Sequence, residues 1–146
     1  MAISGISSDI IITQGFIGSY NGGVVRKTTT LGRGGSDYSA SLIGGAIGAD
    51  VIEIWTDVDG VLSADPRVCS GAIVISNLSF SAVKSLSYWG AKVIHPKTIF
   101  PAISKDIPIK INNTFNRASI GTSITSAGSP GAGFKMSAVI GKSGCY

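Results

Sequence analysis

Apolar and polar positions along this 146-residue chain change period several times, and each change predicts an element. Residues 10–13 (IIIT) form a short β-branched run closed by Gly15, which reads as a buried strand. The YNGG stretch over 20–23 is a turn signal, followed by an extended arm over 24–30. Over 36–49 the side chains Tyr38, Leu42, Ile43, Ala46 and Ile47 recur at helical spacing, with Ser36 or Asp37 as the cap. Gly44 and Gly45 each weaken that helix by about 1 kcal/mol, so close packing against a neighbour is expected. Residues 51–56 (VIEIWT) predict a second strand, and strand–helix–strand order is the βαβ pattern of a parallel sheet. A helix is expected over 79–88, with Phe80, Val83, Leu86 and Trp89 on its buried face and Gly90 as its stop. Val93-Ile94 is a short strand candidate. His95-Pro96 opens a further helix, because proline suits the first helical position. Residues 107–112 alternate and predict a strand, with Pro108 near its start. Beyond Asn116 the pattern decays, and SAGSPGAG over 126–133 predicts a linker. The expected fold class is α/β, a three-layer αβα sandwich with a mainly parallel sheet, present here in part.

Composition narrows the function. Hydrophobic residues make up 44% of the chain and charged residues 14%, which argues against disorder. The net charge is +4, and the Lys and Arg residues are spread along the chain without a basic block. Nucleic acid is therefore not an expected partner, and a basic pocket for an acidic small molecule fits the charge. Cys69 and Cys145 have no CxxC spacing and no His partner at ligand spacing, so they read as reduced cytosolic thiols. No apolar run reaches the length of a membrane span, and the first residues lack the pattern of a signal peptide. A cytoplasmic location without membrane contact is the expectation.

Several motif-like stretches lose their force on inspection. Gly32-Arg33-Gly34-Gly35-Ser36-Asp37 approaches GxGxxG but ends on Asp37. Gly141-Lys142-Ser143 mimics the end of a P-loop without its first glycine. His95, the sole histidine, reads as a helix-start residue. Two loops carry more chemistry. In the first, Gly34 and Gly35 allow close backbone approach at a helix N-terminus, which favours anions. Arg33 offers a planar fork for a carboxylate or phosphate, and Asp37 places a negative charge beside it. An amino acid presents both complementary charges. A surface Arg–Asp pair on a glycine turn is the plain structural alternative. The second loop, residues 56–67 (TDVDGVLSADPR), starts at a strand end, where ligand sites of open α/β sheets lie. Its carboxylates suit nucleotide hydroxyls or hydrated magnesium, while Arg67 and Lys92 suit phosphate charge.

TQGFIGS (13–19), TTTLGRGGSDYSA (28–40), WTDVDGV (55–61), DPRV (65–68), WGAKVIHP (89–96) and NTFN (113–116) occur in an order and spacing that resembles the aspartokinases of the amino acid kinase family. The resemblance implies the αβα kinase fold over residues 1–125, a linker over 126–134 and the start of a truncated ACT-like regulatory domain over 135–146. It implies transfer of the γ-phosphoryl group of Mg-ATP to the β-carboxylate of L-aspartate, giving 4-phospho-L-aspartate, the first step towards lysine, threonine and methionine. ATP and Mg2+ are the implied cofactors, and a homo-oligomer is the implied state of the full-length parent. By matching position, Arg33 resembles the arginine that grips the substrate carboxylate, Asp37 the acid facing its amino group, and Phe16 an aromatic ring near aspartate. Gly34, Gly35 and Ser36 resemble the active-site loop between substrate and phosphates. Thr56, Asp57, Arg67 and Lys92 resemble ATP contacts. Leu62 departs from the pattern, where many relatives have tyrosine. The family's Lys-Phe-Gly-Gly-Thr-Ser segment, which stabilises the transferred phosphoryl group, does not occur in this sequence. The expectation is a kinase fragment that is inactive alone. The alternatives are an inactive nucleotide- or partner-binding half-domain and a family member acting on another acid.

Overall fold

A computed structural model of the chain describes residues 8–23, 25–89, 94–128, 138 and 140. The first elements are β1 (Ile17–Asn21) and β2 (Arg26–Thr30), paired antiparallel with Ile17 opposite Thr30. Helix α1 (Gly35–Ile47) and strand β3 (Ile52–Thr56) follow, then β4 (Asn77–Ser79), α2 (Phe80–Tyr88), α3 (Pro96–Ile103), β5 (Ile109–Asn113) and β6 (Thr122–Thr125). The main sheet has the order β3-β5-β6-β4. β3 pairs parallel with β5, β4 pairs parallel with β6, and the central β5–β6 pair is antiparallel. The sheet is thus mixed and dominated by parallel pairing, in agreement with the expected α/β class.

Register explains why the core is one-sided. Ile52 pairs with Ile109, Ile54 with Ile111, Ile109 with Ile124 and Leu78 with Ile124, so these side chains share one face. All are buried, and they join Phe80, Val83 and Leu86 of α2 and Ile99 and Ala102 of α3 in one cluster. Glu53, Trp55 and Lys110 occupy the opposite face and are exposed, with the Trp55 indole N–H donating to Glu53 at 3.3 Å.

Helix α1 buries a different face from the one its apolar spacing predicts. Leu42, Ala46 and Ile47 are exposed, whereas Gly35, Ser41 and Gly44 are buried. The reason is backbone proximity. A Cβ on Gly44 would fall 2.7 Å from Ile52 Cγ1, and one on Gly45 would fall 3.3 Å from the Pro101 carbonyl oxygen. Small residues let α1 lie close to β3 and α3, so the expected compensation for the two glycines is present. In α2, Phe80, Val83 and Leu86 are buried as expected, but Trp89 is 72% exposed. Ser79 caps α2 by accepting the Ala82 N–H at 3.1 Å.

Residues 10–13 form no strand; Ile10 and Ile12 are exposed and pair with no strand among the described residues. Their β-branched composition matches a strand, but no neighbouring strand lies beside them among the described residues. The short strands β4 and β6 were not legible as runs. Of the Val93-Ile94 candidate, Val93 lies outside the described residues and Ile94 is buried without strand pairing. The expected linker beyond Gly128 and most of the expected regulatory segment also lie outside them; Ala138 and Ile140 pack, partly buried, against the core.

Candidate functional site

Chain direction gathers the candidate loops at one edge of the sheet. The end of α1 lies on the start of β3, since Gly44 meets Ile52 and the Ala49 N–H donates to Gly44 at 2.9 Å. Helix and strand therefore run in opposite senses, and the start of α1 lies at the same end as Thr56, the last residue of β3. Helix α3 starts at this end too, because a Cβ on Gly34 would fall 2.7 Å from His95 Cβ. The β5–β6 connection closes the group, as Thr56 is in register with Asn113.

The glycine loop is built by contact rather than by side-chain capping. Gly34 takes φ 70°, the left-handed region that favours glycine, and stands at the N-cap of α1 without a side-chain cap. The expectation that Ser36 or Asp37 would cap this helix is corrected: the chain enters α1 through a left-handed turn that places both inside the first turn. The Gly35 N–H donates to the Gly32 carbonyl at 3.0 Å, which leaves the Ser36 and Asp37 N–H groups without a partner among the described residues. Gly35 is required by Phe16, whose Cδ2 lies 2.6 Å from where a Cβ would stand. Phe16 itself takes φ 71°. Its N–H donates to Ser39 Oγ at 3.0 Å, and that hydroxyl donates to the Gly35 carbonyl at 2.9 Å. Gly15 passes close to Ser36. Phe16, Gly34, Gly35, Ser36 and the start of α1 are thus one packed unit.

Arg33 and Asp37 flank this unit. The single ion pair among the described residues is Arg67 with Asp65, so Arg33 and Asp37 are not paired with each other. That removes the plain alternative of a surface Arg–Asp pair. Asp37 is half-buried, and desolvation raises its carboxyl above the ordinary value of 3.8. A half-buried carboxylate without a counter-charge is a feature that an incoming cation relieves.

The second loop is held by a different network. Thr56 Oγ1 donates to Asp57 Oδ1 at 3.2 Å, and Asp57 is exposed at the strand end. Asp59 Oδ1 accepts from Asn113 Nδ2 at 2.8 Å and from Asn116 Nδ2 at 3.0 Å. Ser119 Oγ donates to the Asp59 carbonyl at 3.1 Å, and the Thr114 N–H donates to the Thr56 carbonyl at 2.8 Å. Thr122 Oγ1 accepts the Val61 N–H at 2.8 Å and donates to the Ile75 carbonyl at 2.8 Å. The NTFN segment therefore acts as a brace for the TDVDG loop.

Arg67 sits at the tip of the following excursion, where Asp65 takes its Nε at 3.0 Å and its Nη2 at 2.6 Å. The Asp65 hydrogen bond, then its charge, raises the already high Arg67 pKa. Lys92 lies outside the described residues. His95 has the helix-start role expected of it: Nδ1 accepts the Lys97 N–H at 3.2 Å. Thr98 is fully buried with no partner for its hydroxyl among the described residues, and Oγ1 lies 3.7 Å from where a Gly34 Cβ would stand. Among the described residues no three His, Cys, Asp or Glu side chains cluster as a metal cage. Among the described residues no helix is long and apolar enough to cross a membrane.

Sequence reasoning missed Ser39, Asp59, Asn113 and Asn116 as individual contributors. Asp59, Asn113 and Asn116 lay within motifs already singled out, but their partnership spans more than fifty residues. Ser39 carried a weaker signal, one helical turn beyond Gly35.

A glycine-rich helix start beside the C-terminal end of a parallel strand places the chain among α/β proteins that bind ligands at a sheet edge. The amino acid kinase family matches residues 6–113, and the chain belongs to that family. Within it, the chain is similar to aspartokinases. It is 45% identical over 117 residues to lysine-sensitive aspartokinase 3 of Escherichia coli, covering 80% of this chain and 25% of the relative. It is 48% identical over 117 residues to the chloroplastic bifunctional aspartokinase/homoserine dehydrogenase 2 of Zea mays, covering 80% of this chain and 12% of the relative. The chain therefore spans a quarter or less of these relatives. Among solved structures, it superposes on E. coli aspartokinase III in complex with aspartate and ADP with a TM-score of 0.69. Identity there is 47%, covering 77% of this chain and 24% of the other. The aspartate kinase of Clostridium acetobutylicum gives a TM-score of 0.66 at 44% identity, covering 77% of this chain and 25% of the other.

Proposed function

We propose that this chain forms the aspartate- and nucleotide-binding edge of an aspartate kinase, which transfers the γ-phosphoryl group of ATP to the β-carboxylate of L-aspartate. The observation that carries the reading is the unpaired Arg33 and half-buried Asp37 flanking an uncapped helix start. These opposite charges complement the carboxylate and ammonium groups of one amino acid. A relative at 47% identity holds aspartate and ADP, which supports the same ligand pair here.

In this reading Arg33 binds a substrate carboxylate through its guanidinium fork, and Asp37 accepts from the ammonium group. Phe16 supplies an apolar wall, Gly34 and Gly35 allow close approach, and the N–H groups of Ser36 and Asp37 in the first turn of α1 favour the transferred charge. Thr56 and Asp57 receive the nucleotide. Arg67 and Lys92 neutralise phosphate charge, Arg67 by moving from Asp65. Phosphoryl transfer depends on positioning and electrostatic stabilisation, the tasks these residues perform. Mg2+ belongs to the same reading, since it is usually held by phosphate oxygens, water and one or two carboxylates. The expected product is 4-phospho-L-aspartate, a precursor for lysine, threonine and methionine. A cytoplasmic location and homo-oligomeric parent belong to the same reading.

The test is calorimetric titration of the 146-residue chain with L-aspartate and Mg-ADP, beside a hydroxamate assay for acyl phosphate with Mg-ATP. Saturable binding of both ligands, with L-glutamate bound at least about tenfold more weakly, is expected from a charge pair at fixed spacing. Absence of L-aspartate binding overturns the reading. Binding without acyl phosphate assigns these residues a binding role and leaves transfer to other parts of the kinase.

A further inference from the structure

Phe16 is one of two non-glycine residues with positive φ among the described residues, at 71°. A side chain with a Cβ disfavours that region, so the surroundings must hold it there. The restraint comes from both backbone groups of Phe16. Its carbonyl accepts the Leu31 N–H at 2.9 Å, and its N–H donates to Ser39 Oγ at 3.0 Å. Ser39 lies one turn along α1 from Gly35, and its hydroxyl donates to the Gly35 carbonyl at 2.9 Å. That back-bond is the usual habit of a helical serine. Here it fixes the rotor so that a lone pair faces Phe16. One hydroxyl therefore ties the loop, the left-handed residue and the first turn of α1.

We propose that Ser39 is a positioning residue: its hydroxyl clamps Phe16 in the left-handed conformation and sets the ring on Gly35, shaping the aspartate side of the site before ligand arrives. The identity of the ligand rests on the function proposed above; the clamp does not. The β1–β2 hairpin depends on the same contact. Nearly all of its residues are exposed, and an isolated two-stranded hairpin is marginal in water. Its junction with α1, through Phe16 and Leu31, is what sets its position. Releasing Phe16 frees the ring and the hairpin together, and preorganisation for the smaller ligand is lost.

The test uses the full 146-residue chain with Ser39→Ala and Ser39→Thr. Amide exchange at Phe16 is followed by NMR, with Ile109 and Ile111 as controls for an intact core. Dissociation constants for L-aspartate and Mg-ADP are measured by calorimetry. Ser39→Ala is expected to speed Phe16 exchange by about tenfold, with core protection unchanged. It is expected to weaken L-aspartate about fivefold and Mg-ADP less than about twofold, and Ser39→Thr restores both properties. Unchanged Phe16 exchange overturns the clamp, as does equal loss of both ligands. A Phe16→Gly chain provides a second route: glycine accepts the left-handed backbone unaided, so Ser39→Ala in that background adds less than about twofold to aspartate affinity. A larger added loss overturns the proposal. If the unaltered chain binds no L-aspartate, the functional reading fails, and Phe16 exchange alone decides the clamp.

Discussion

Asp59→Ala tests the brace between the TDVDG loop and the β5–β6 connection. The substitution removes the acceptor of two hydrogen bonds, from Asn113 at 2.8 Å and Asn116 at 3.0 Å. The bonds differ in worth. Asn116 is exposed, so water replaces Asp59 there at little cost. Asn113 is only 9% exposed, and its amide loses its partner in a confined place. An orphaned buried donor costs about 1–3 kcal/mol, so about 2 kcal/mol is the expected loss. At ordinary unfolding entropy for a chain of this length, that lowers Tm by about 6 °C. The Ser119 bond to the Asp59 carbonyl survives, because it uses the backbone. The loop should therefore loosen rather than detach, weakening Mg-ADP by about threefold to tenfold through lost preorganisation. Asp59→Asn keeps one oxygen acceptor and should lose about half as much. Differential scanning calorimetry and nucleotide titration read the two effects. A Tm within about 1 °C of the unaltered chain, with unchanged nucleotide affinity, refutes the brace.

Other expectations follow from the same geometry. Arg33→Ala should weaken L-aspartate by about tenfold to a hundredfold while changing Mg-ADP little, and Asp57→Ala should do the reverse; equal effects on both ligands in titrations would count against the assignments. Asp37 must be ionised to receive an ammonium group, and burial raises its carboxyl above 3.8. L-aspartate affinity should therefore fall as pH falls through this raised carboxyl value, and Asp37→Asn should bind weakly at every pH. The stability effect has the opposite direction. A raised native pKa gives a contribution that is full below 3.8 and lost as pH rises through the native value. Asp37→Asn should thus have the higher Tm at neutral pH, a difference that disappears in acid. Thr98→Val replaces a fully buried hydroxyl, unpartnered among the described residues, by a methyl group of similar shape, and should raise stability by about 1 kcal/mol in denaturant titration. A clear loss would mean that the hydroxyl has a partner in solution.

The elements legible in the sequence were those whose signal is local. Helices α1 and α2, strands β3 and β5, and the start of α3 follow from periodicity and a His-Pro entry. Where the reading went astray, tertiary packing reversed a local preference. The apolar stripe of α1 gave the wrong buried face because Gly44 and Gly45 bring backbone against Ile52 and Pro101, and proximity outweighed the transfer energy of Leu42 and Ile47. Residues 10–13 have strand composition but no partner among the described residues, and composition alone makes no ladder. Strands β4 and β6, of three and four residues, are too short for a period to develop.

The candidate site divides along the same line. The residues proposed to face ligands could be read from spacing, because Arg33, Asp37, Thr56 and Asp57 lie within a few residues of a glycine turn or a strand end. The groups that hold them could not, because their bonds span long stretches of chain. Ser39 reaches back twenty-three residues to Phe16, and Asp59 reaches forward fifty-four to Asn113. Ser39 holds a strained backbone, while Asp59 keeps a buried amide satisfied. Each governs a different loop, so the two ligands should respond to them separately. Loss of Ser39 should fall on the amino acid, and loss of Asp59 on the nucleotide. The spacing of α1 from β3 is fixed independently by the small-residue packing of Gly44 on Ile52, at the opposite end of both elements. Independent supports for two loops on one rigid edge would let each proposed ligand be oriented without disturbing the other, as the proposed in-line transfer between them requires.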